Sequence, residues 1–377
     1  MKILGIICEY NPFHNGHRYH IEKSKEVTGA DAVVAVMSGS FVQRGEPAFA
    51  DKWLRAQTAV MSGADLVIEN PFVYACNSAQ IFADGAVNIL NGLGCIDFLS
   101  FGSEAGSIDV LLEFASETDE FKSRLHKALE QGMPYPEAVS FAYDDNAGIM
   151  KGPNNILAIE YIKALYRISS GITPVTVKRS DKGYHSDKTV GMLASASKIR
   201  NMASKGENFS EFVPYAYRGY IGGLDYFSVM SHIISLSPKE LDRLPSAGEG
   251  LGNRIKNQVR KSGSVNSLID NIRGSRYTKS RISRVLCQML AGCSSMPESR
   301  YYARILGFNS TGADVLRYIK KSGCSSIPVI TNINREDTSE IEEVLKYDIS
   351  SSDIYNLLTG RDLYEYSDYV KKPFVMT

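Results

Sequence analysis

Short apolar runs alternate with helical stretches through the N-terminal part of the chain, and this alternation constrains the fold more than any other feature. Each run is long enough for one buried strand, and the runs cover residues 2–8, 32–37, 65–70 and 96–101. Helical patterning fills the gaps at 17–28, 51–62 and 78–91, with Asp51 as a suitable N-cap. Uninterrupted apolar strands that alternate with helices indicate a parallel sheet covered on both faces. The sequence therefore predicts an α/β, Rossmann-like fold.

The pattern changes in the second half of the chain. Residues 107–170 are mostly helical by pattern, and 173–178 resembles one more strand. No further alternation of strands and helices is expected beyond that region, where several helical stretches follow. We predict a domain boundary near 205–215, with a Rossmann-like domain at 1–210 and a mainly helical C-terminal domain at 211–377.

Composition narrows the class of protein. The chain has 377 residues, of which 44% are hydrophobic, enough for a sizeable core in two or three domains. No apolar run approaches the roughly 20 residues of a membrane span, and the first residues resemble a core strand rather than a signal peptide. The six cysteines are scattered without a CxxC pair, which favours a reducing, cytoplasmic location over a disulfide scaffold or a zinc site.

The most informative motif is EYNPFHNGHRYH at residues 9–20, between the first predicted strand and the first predicted helix. Ligands of open α/β sheets bind at the carboxyl ends of the strands, and a helix N-terminus attracts phosphate. Gly16 allows close approach of the backbone, while His14 and His17 can donate hydrogen bonds to a phosphate. The alternative is a loop with two surface histidines. We interpret the HxGH pattern as a nucleotide phosphate site.

A second candidate element is SASKIR at residues 195–200. Serines at a helix start bind phosphate oxygens, so Ser197 is a candidate, and Lys198 and Arg200 could hold pyrophosphate. By itself the segment is equally an ordinary capped helix. Beside HxGH it is the expected second half of a nucleotidylyltransferase site.

Positive charge is concentrated in one segment. Lys+Arg and Asp+Glu both total 42, so only a local surface could bind nucleic acid. Residues 251–285 contain nine Lys/Arg and one acid, Asp270. Tyr277 offers a stacking face, and the candidate RNA contacts are Arg276, Lys279, Arg281 and Arg284. The alternative is a solvated helix face.

Six sequence blocks together carry a family resemblance. In order they are EYNPFHNGH, MSGSFVQRGEPA (37–48), DLVIENP (65–71), FGSE (101–104), GPNNILAIEY (152–161) and SASKIR. This set resembles the tRNA(Met) cytidine acetate ligase family, within the HIGH-motif nucleotidylyltransferase superfamily. Matches run through residues 1–200, and RYTKSRISRVL (276–286) is similar to the basic C-terminal segment of that family.

The resemblance implies an activity, its substrates and a set of site residues. A member of this family activates acetate with ATP and acetylates N4 of the wobble cytidine of elongator tRNA(Met). Mg²⁺ is expected to accompany ATP through its phosphates. His14, His17, Ser197, Lys198 and Arg200 would then be catalytic. The implied ATP-binding residues are Ile7, Cys8, Glu9, Tyr10, Asn11, Pro12, Phe13, His14, Asn15, Gly16, His17, Arg18, Tyr19, His20, Gly102, Asn154 and Arg179. No protein ligand for a metal is assigned.

The sequence departs from the family pattern at two positions and leaves several roles open. Ser197 stands where the family usually has Thr, and Asn70 where it more often has Leu. Gly102 could be a turn glycine, Asn154 a helix N-cap and Arg179 a surface residue. His20 could be structural, and loop 38–47, with Arg44 and Glu46, could be a lid or a surface loop.

Two other functions stay open at this point. A small-molecule adenylyltransferase shares the HxGH core but does not need a long basic extension. A non-catalytic RNA-binding protein would not need His14, His17, Ser197 and Arg200 together. The acetate pocket, the basis of tRNA selection and the oligomeric state are not assigned.

Overall fold

Eight strands of the described chain form one sheet. The computed structural model describes residues 1–133, 135–145, 148–179, 192–215, 219–298 and 300–377. The strands are β1 (Ile3–Cys8), β2 (Ala32–Ser38), β3 (Phe41–Val42), β4 (Glu46–Pro47), β5 (Leu66–Asn70), β6 (Phe98–Ser103), β7 (Thr173–Lys178), β8 (Ala303–Phe308), β9 (Val329–Ile330) and β10 (Phe374–Val375). The sheet order is β10-β8-β5-β2-β1-β6-β7, with β9 beside β8, while β3 and β4 form a separate hairpin.

Helices account for most of the remaining regular structure. They are α1 (Asn15–Thr28), α2 (Lys52–Met61), α3 (Phe72–Ala75), α4 (Ala79–Gly92), α5 (Ile108–Ala115), α6 (Asp119–Glu130), α7 (Tyr135–Ala142), α8 (Pro153–Arg167), α9 (Ala196–Ser204), α10 (Tyr226–Ser235), α11 (Pro238–Arg243), α12 (Leu251–Val259), α13 (Val265–Ile272), α14 (Lys279–Leu290), α15 (Ser310–Ser322) and α16 (Glu342–Thr359). Within the described ranges, no helix has the length and apolar character that crossing a membrane requires.

The predicted α/β architecture is confirmed. Strands β1, β2, β5, β6 and β7 lie where the apolar runs predicted them and pair in parallel. Alternate residues of each strand point to opposite faces, and both faces are buried. Val34 and Ile68 pack with α4 and α8 on one face, whereas Val33 and Val67 pack with α1 and α2 on the other. Continuous apolar runs are thus explained by helices on both sides.

The sheet extends into the second half of the chain. Strand β8 pairs antiparallel with β5, and β9 and β10 pair in parallel with β8. The expectation of no further strand–helix alternation is therefore wrong, since β8, α15 and β9 follow one another. Strand β8 covers the edge that β5 would otherwise expose. Residues from both sides of the predicted boundary share one sheet, although the part between them, α10–α14, is helical as predicted.

A buried ion cluster ties the C-terminal segment to this sheet. The Lys52 ammonium lies 2.8 Å from a carboxylate oxygen of Glu69 and 2.8 Å from one of Asp368. The Arg304 guanidinium lies 2.8 Å from the same Asp368 oxygen and 3.6 Å from Glu69. All four side chains are at most 4% exposed. Two cations and two anions balance, so each buried charge depends on the others.

Removal of one member should therefore cost far more than removal of a surface ion pair. We expect Lys52→Met to lower the free energy of unfolding by about 3–5 kcal/mol, because two carboxylates would be left with one cation. Lys23→Met is the matched control, since Lys23 pairs with Glu26 at the surface, and it should have no measurable effect. Denaturant unfolding of both variants measures the difference. Equal stabilities would contradict the role of the cluster.

Candidate active site

Two stacked imidazoles stand at the carboxyl end of β1. His14 is the N-cap of α1, and its Nδ1 accepts the Gly16 N–H at 3.0 Å. In return, His17 Nδ1 accepts the His14 N–H at 3.2 Å. The two ring centroids are 3.7 Å apart. Histidines thus form a reciprocal capping box that fixes both rings at the positive end of the helix.

The hydrogen bonds also determine which ring nitrogen carries the proton. Burial, then Arg179, lowers the pKa of His14 to about 3, and burial, then His14, lowers the pKa of His17 well below its usual value. Both rings are therefore neutral at pH 7. Because each Nδ1 accepts a backbone N–H, the single proton of each ring lies on Nε2. His14 Nε2 is buried and has no partner in the described protein. This arrangement presents Nε2–H donors suited to a phosphate oxygen.

Gly16 is required for a reason that the sequence analysis did not foresee. A Cβ at this position would lie 2.9 Å from His14 Cε1 and 3.0 Å from His14 Nδ1. A side chain would push the His14 ring out of its cap. Gly16 therefore permits close packing of the imidazole on the helix start, in addition to leaving the backbone open to a ligand.

The SASKIR segment lies directly beside this loop. Ser195 caps α9 by accepting the Lys198 N–H at 3.2 Å. Arg200 Nη1 donates to the Asn11 carbonyl at 2.5 Å, and its Nη2 lies 3.4 Å from Ser197 Oγ. Asn15 Nδ2 adds bonds to the carbonyls of Met192 and Glu211, at 3.0 and 2.9 Å. The fold thus brings together two motifs that are far apart in sequence. The Lys198 ammonium lies 4.9 Å from the centre of the Phe212 ring.

Gly102, Asn154 and Arg179 also lie together. Arg179 Nη1 donates to Asn154 Oδ1 at 3.1 Å, and a Cβ on Gly102 would lie 2.9 Å from Arg179 Cγ. Asn154 is not the N-cap of α8, which is Gly152, so that alternative is wrong. Instead, Glu104 accepts the Asn154 side-chain N–H at 2.6 Å and the Asn155 backbone N–H at 2.8 Å. Residues 180–191, which follow Arg179, lie outside the described residues.

The remaining residues of the loop have mixed surroundings. Ile7, Tyr10 and Phe13 are buried in the core, Cys8 Sγ lies 3.6 Å from the Val36 carbonyl, and Pro12 is buried after a cis peptide bond. Arg18 pairs with Glu22 along α1 at 2.9 Å, and Tyr19 is half-buried. His20 Nε2 lies 3.3 Å from Ser100 Oγ, and burial, then Arg179, lowers the pKa of His20 to about 4. These contacts support the shape of the loop, while ATP contact by each residue stays a prediction.

The β3–β4 hairpin forms a packed wall of the site. Phe41 and Val42 are buried, and the Gln43 N–H donates to Glu9 Oε1 at 2.8 Å. Gly45 has a φ of 77°, and a Cβ there would lie 2.3 Å from the Arg284 backbone nitrogen of α14. A loop held on both sides in this way is poorly suited to open as a lid.

Sequence reasoning missed Arg55, which holds the carboxyl ends of two strands. Its guanidinium is buried and donates to the carbonyls of Glu9 at 2.6 Å, Ser38 at 2.9 Å and Ala50 at 2.8 Å, and also to Gly39. The available signal was an arginine next to Ala56, Ala59 and Val60 on the buried face of the predicted helix at 51–62. Ser38 and Asn70 were also not assigned. They are register partners on β2 and β5, both fully buried, with no hydrogen-bond partner for Ser38 Oγ or the Asn70 amide in the described protein.

The four candidate RNA contacts are not equivalent. Arg276 and Lys279 are exposed. Arg281 donates to the carbonyls of Ser246 and Ala247, at 3.0 and 2.8 Å, and pairs with Glu249 at 3.0 Å. Arg284 is half-buried, and its Nη1 lies 3.4 Å from the Gln43 carbonyl.

The prediction that Tyr277 offers a stacking face is wrong. Its ring is 7% exposed within the helical core, and its hydroxyl donates to the Glu249 carbonyl at 2.6 Å. Tyr277 packs in the core formed by the C-terminal helices. The sequence pattern alone did not distinguish a buried tyrosine from an exposed one.

Comparison with known proteins places the site in a family. The chain matches the family described as HIGH Nucleotidyl Transferase over residues 1–368. A tRNA(Met) cytidine acetate ligase of Acetivibrio thermocellus is 40% identical over 396 aligned residues, covering 94% of each chain. A second, from Clostridium novyi, is 39% identical and covers 100% of each chain. The chain belongs to the tRNA(Met) cytidine acetate ligase family.

A solved structure of the family shows the same fold. The crystal structure of Thermotoga maritima TmcAL bound with alpha-thio ATP superposes with a TM-score of 0.88, at 29% identity over 100% of both chains. The apo form of that protein gives 0.89 at 28% identity. Together with the full-length ligase relatives, this family membership disfavours both alternative functions, the small-molecule adenylyltransferase and the non-catalytic RNA-binding protein.

If the two histidines act as transition-state donors, each should be needed for nucleotide chemistry. We expect His14→Ala and His17→Ala each to slow adenylate formation by roughly 100-fold or more, with a smaller loss of ATP affinity. His126→Ala is the control, because His126 is an exposed histidine on α6 that pairs with Glu130. Exchange of labelled pyrophosphate into ATP measures the rates. Near-normal exchange in both site variants would contradict the assignment.

Proposed function

We propose that this protein activates acetate with ATP to acetyl-adenylate and then acetylates N4 of the wobble cytidine of elongator tRNA(Met). The observation that carries the proposal is the bond from Arg200 to the Asn11 carbonyl, which joins the SASKIR helix to the HxGH loop. This bond makes the two motifs neighbours in space, so that both could contact one nucleotide. The names of the full-length relatives and the alpha-thio ATP bound to Thermotoga maritima TmcAL support the same reading.

In the first half-reaction, an acetate oxygen attacks the α-phosphorus of ATP. The Nε2–H groups of His14 and His17 stabilise the charge that grows on the α-phosphate. Ser197, Lys198 and Arg200 receive the departing pyrophosphate, while Gly102, Asn154 and Arg179 hold the nucleoside part. Because both imidazoles are neutral, they act as hydrogen-bond donors and not as acids. The protein mainly aligns the reactants and stabilises charge.

Magnesium fits this site as a companion of the phosphates. Mg²⁺ keeps several water ligands and binds preferentially to phosphate oxygens in nucleotide sites. The groups that His14 and Arg200 present are N–H donors, which suit phosphate oxygens and not a cation. The ion would therefore enter with ATP and neutralise its outer phosphates.

In the second half-reaction, tRNA must present an unstacked cytidine. Recognition of RNA sequence usually involves bases that are splayed out of a loop. An open groove of about 690 Å³ lies beside α12, close to the exposed Arg276. Its lining includes the amide side chains of Asn253, Asn257 and Gln258, which suit hydrogen bonds to single-stranded nucleotides. Helix α14 leads from this groove to the β3–β4 hairpin, so the anticodon loop would be held next to the nucleotide site.

The cytoplasm is the compartment where this reaction would take place. tRNA supplies the acceptor, and all six cysteines of the chain are free thiols. A reducing environment is consistent with that state.

Activation should not depend on the RNA. We expect exchange of pyrophosphate into ATP that requires acetate but not tRNA, since the proposed phosphate-binding elements lie at Tyr10–His20, Gly102, Asn154, Arg179 and 195–200 and none of them belongs to α12–α14. The assay compares acetate, longer carboxylates and no acid, each with and without tRNA(Met). A strict requirement for tRNA would mean that RNA docking assembles the site, and exchange without any acid dependence would exclude acetate activation.

The exposed cations near the groove should contribute to tRNA binding. We expect the double variant Arg276→Ala/Lys279→Ala to bind tRNA(Met) more weakly and to reduce the slope of log affinity against log salt by roughly 0.7–0.9 for each lost phosphate contact. Lys320→Ala/Lys321→Ala, which removes the same charge from the exposed face of α15, is the matched control. Binding is measured at several salt concentrations, and thermal melting checks that both variants are folded. Equal losses in the two variants would exclude a specific role for the groove edge.

A further inference from the structure

Glu9 is an unusual residue for a site that binds anions. It follows β1 directly and lies within the loop that ends at His14. A site for ATP and acetate collects negative charge, and a further carboxylate there would oppose binding of both substrates. We therefore expect the Glu9 carboxylate to act at a step other than the binding of ATP and acetate.

The contacts of Glu9 leave one carboxylate oxygen available. Its Oε1 accepts the backbone N–H of Gln43 at 2.8 Å. Among the described residues, no Lys or Arg forms an ion pair with it within 4.0 Å, and the side chain is half-buried. Oε2 is thus free to accept a hydrogen bond from a group that enters the candidate active site. Gln43 belongs to the β3–β4 hairpin, and its own carbonyl lies 3.4 Å from Nη1 of Arg284 in α14. Glu9 therefore lies on the side of the nucleotide loop that faces α14, which belongs to the candidate RNA-binding segment at 251–285.

The basicity of Glu9 depends on its burial and on the charged groups around it. Burial raises the pKa of Glu9 above its usual value, and the Gln43 N–H, Arg200, Arg44 and Arg55 oppose that rise. The other titratable neighbours are Tyr161 of α8 and Cys8 of β1, both neutral because burial raises the pKa of each. A carboxylate with a raised pKa is, in its ionised form, a better proton acceptor than one in water.

We propose that Glu9 is a catalytic residue of acetyl transfer, binding the N4 amino group of the target cytidine and accepting its proton. This inference rests on the proposed function and adds a role that ATP binding does not require. A carboxylate is the side chain that accepts hydrogen bonds from the exocyclic amine of cytosine. That amine is conjugated with the ring and is a weak nucleophile, so removal of its proton assists the attack.

The chemistry balances without a further reactant. The N4 nitrogen attacks the carbonyl carbon of acetyl-adenylate, and a new C–N bond forms. The bond between that carbon and the phosphate oxygen breaks, and AMP leaves with the electron pair. The proton lost from N4 passes to the Glu9 carboxylate and later to solvent. The products are N4-acetylcytidine and AMP.

The test separates transfer from activation in the full-length enzyme. Glu9→Gln keeps the oxygen that accepts the Gln43 N–H and removes the base. Acetyl-adenylate is formed on the enzyme with labelled acetate, ATP and pyrophosphatase, tRNA(Met) is added, and labelled tRNA is followed in a single turnover. Pyrophosphate exchange without tRNA is measured in parallel. Glu46→Gln is the matched control. Glu46 is a half-buried carboxylate of the β3–β4 hairpin, which also contains Gln43.

We expect Glu9→Gln to slow transfer by about 100-fold or more, and this loss should exceed any loss of exchange that arises from the position of Glu9 in the implied ATP loop. The wild-type transfer rate should fall as the pH drops towards the raised pKa of Glu9, because only the ionised carboxylate accepts a proton, and Glu9→Gln should lack this dependence. Glu46→Gln should transfer at close to the wild-type rate.

Three results would overturn the inference: transfer by Glu9→Gln at the wild-type rate, equal losses of transfer and exchange, or an equal loss of transfer in Glu46→Gln. A wild-type enzyme that showed neither acetate-dependent exchange nor acetylated tRNA would instead contradict the proposed function itself. The two failures are therefore distinguishable.

Discussion

The buried guanidinium of Arg55 holds the carboxyl ends of β1 and β2, and the geometry of the site depends on it. It donates to backbone carbonyls of Glu9, Ser38, Gly39 and Ala50, which would otherwise be buried without partners where the strands end. With these segments fixed, the loop after β1 can turn and place two imidazoles on the N-terminus of α1. Strand ends in a parallel sheet leave such groups unpaired by necessity, and Arg55 satisfies several of them at once.

The candidate nucleotide loop and the candidate RNA-binding segment, residues 251–285, meet at the β3–β4 hairpin. One side of the hairpin donates to Glu9, and the other side packs against α14. A wall shared by two sites allows acetyl-adenylate to be shielded from water while the RNA approaches from one direction. In the proposed mechanism, the histidines and Arg200 complete activation on one side, and Glu9 serves the cytidine on the other.

Sequence patterns were most reliable where the physical constraint is local. The HxGH loop was recognised because a glycine, two histidines and a strand–helix junction are contiguous, and the capping box they form involves only four residues. The four basic candidates show the opposite case. Arg276 and Lys279 are exposed, but Arg281 is bound to carbonyls that lie 34 and 35 residues earlier in the chain. No periodicity within α14 could have predicted those partners.

The amino-acid sequence by itself determined the order of parallel strands and helices in the first half of the chain, the candidate phosphate loop and the family, because these follow from periodicity and contiguous motifs. Only the tertiary structure decided that β8 closes the edge of the sheet beside β5, that four charges of distant segments neutralise one another, and that Arg200 reaches Asn11 across 189 positions. Buried charges and strand edges must find partners, but many segments of a chain could supply them. The choice among those segments is made by packing of the whole molecule, which a local pattern does not record.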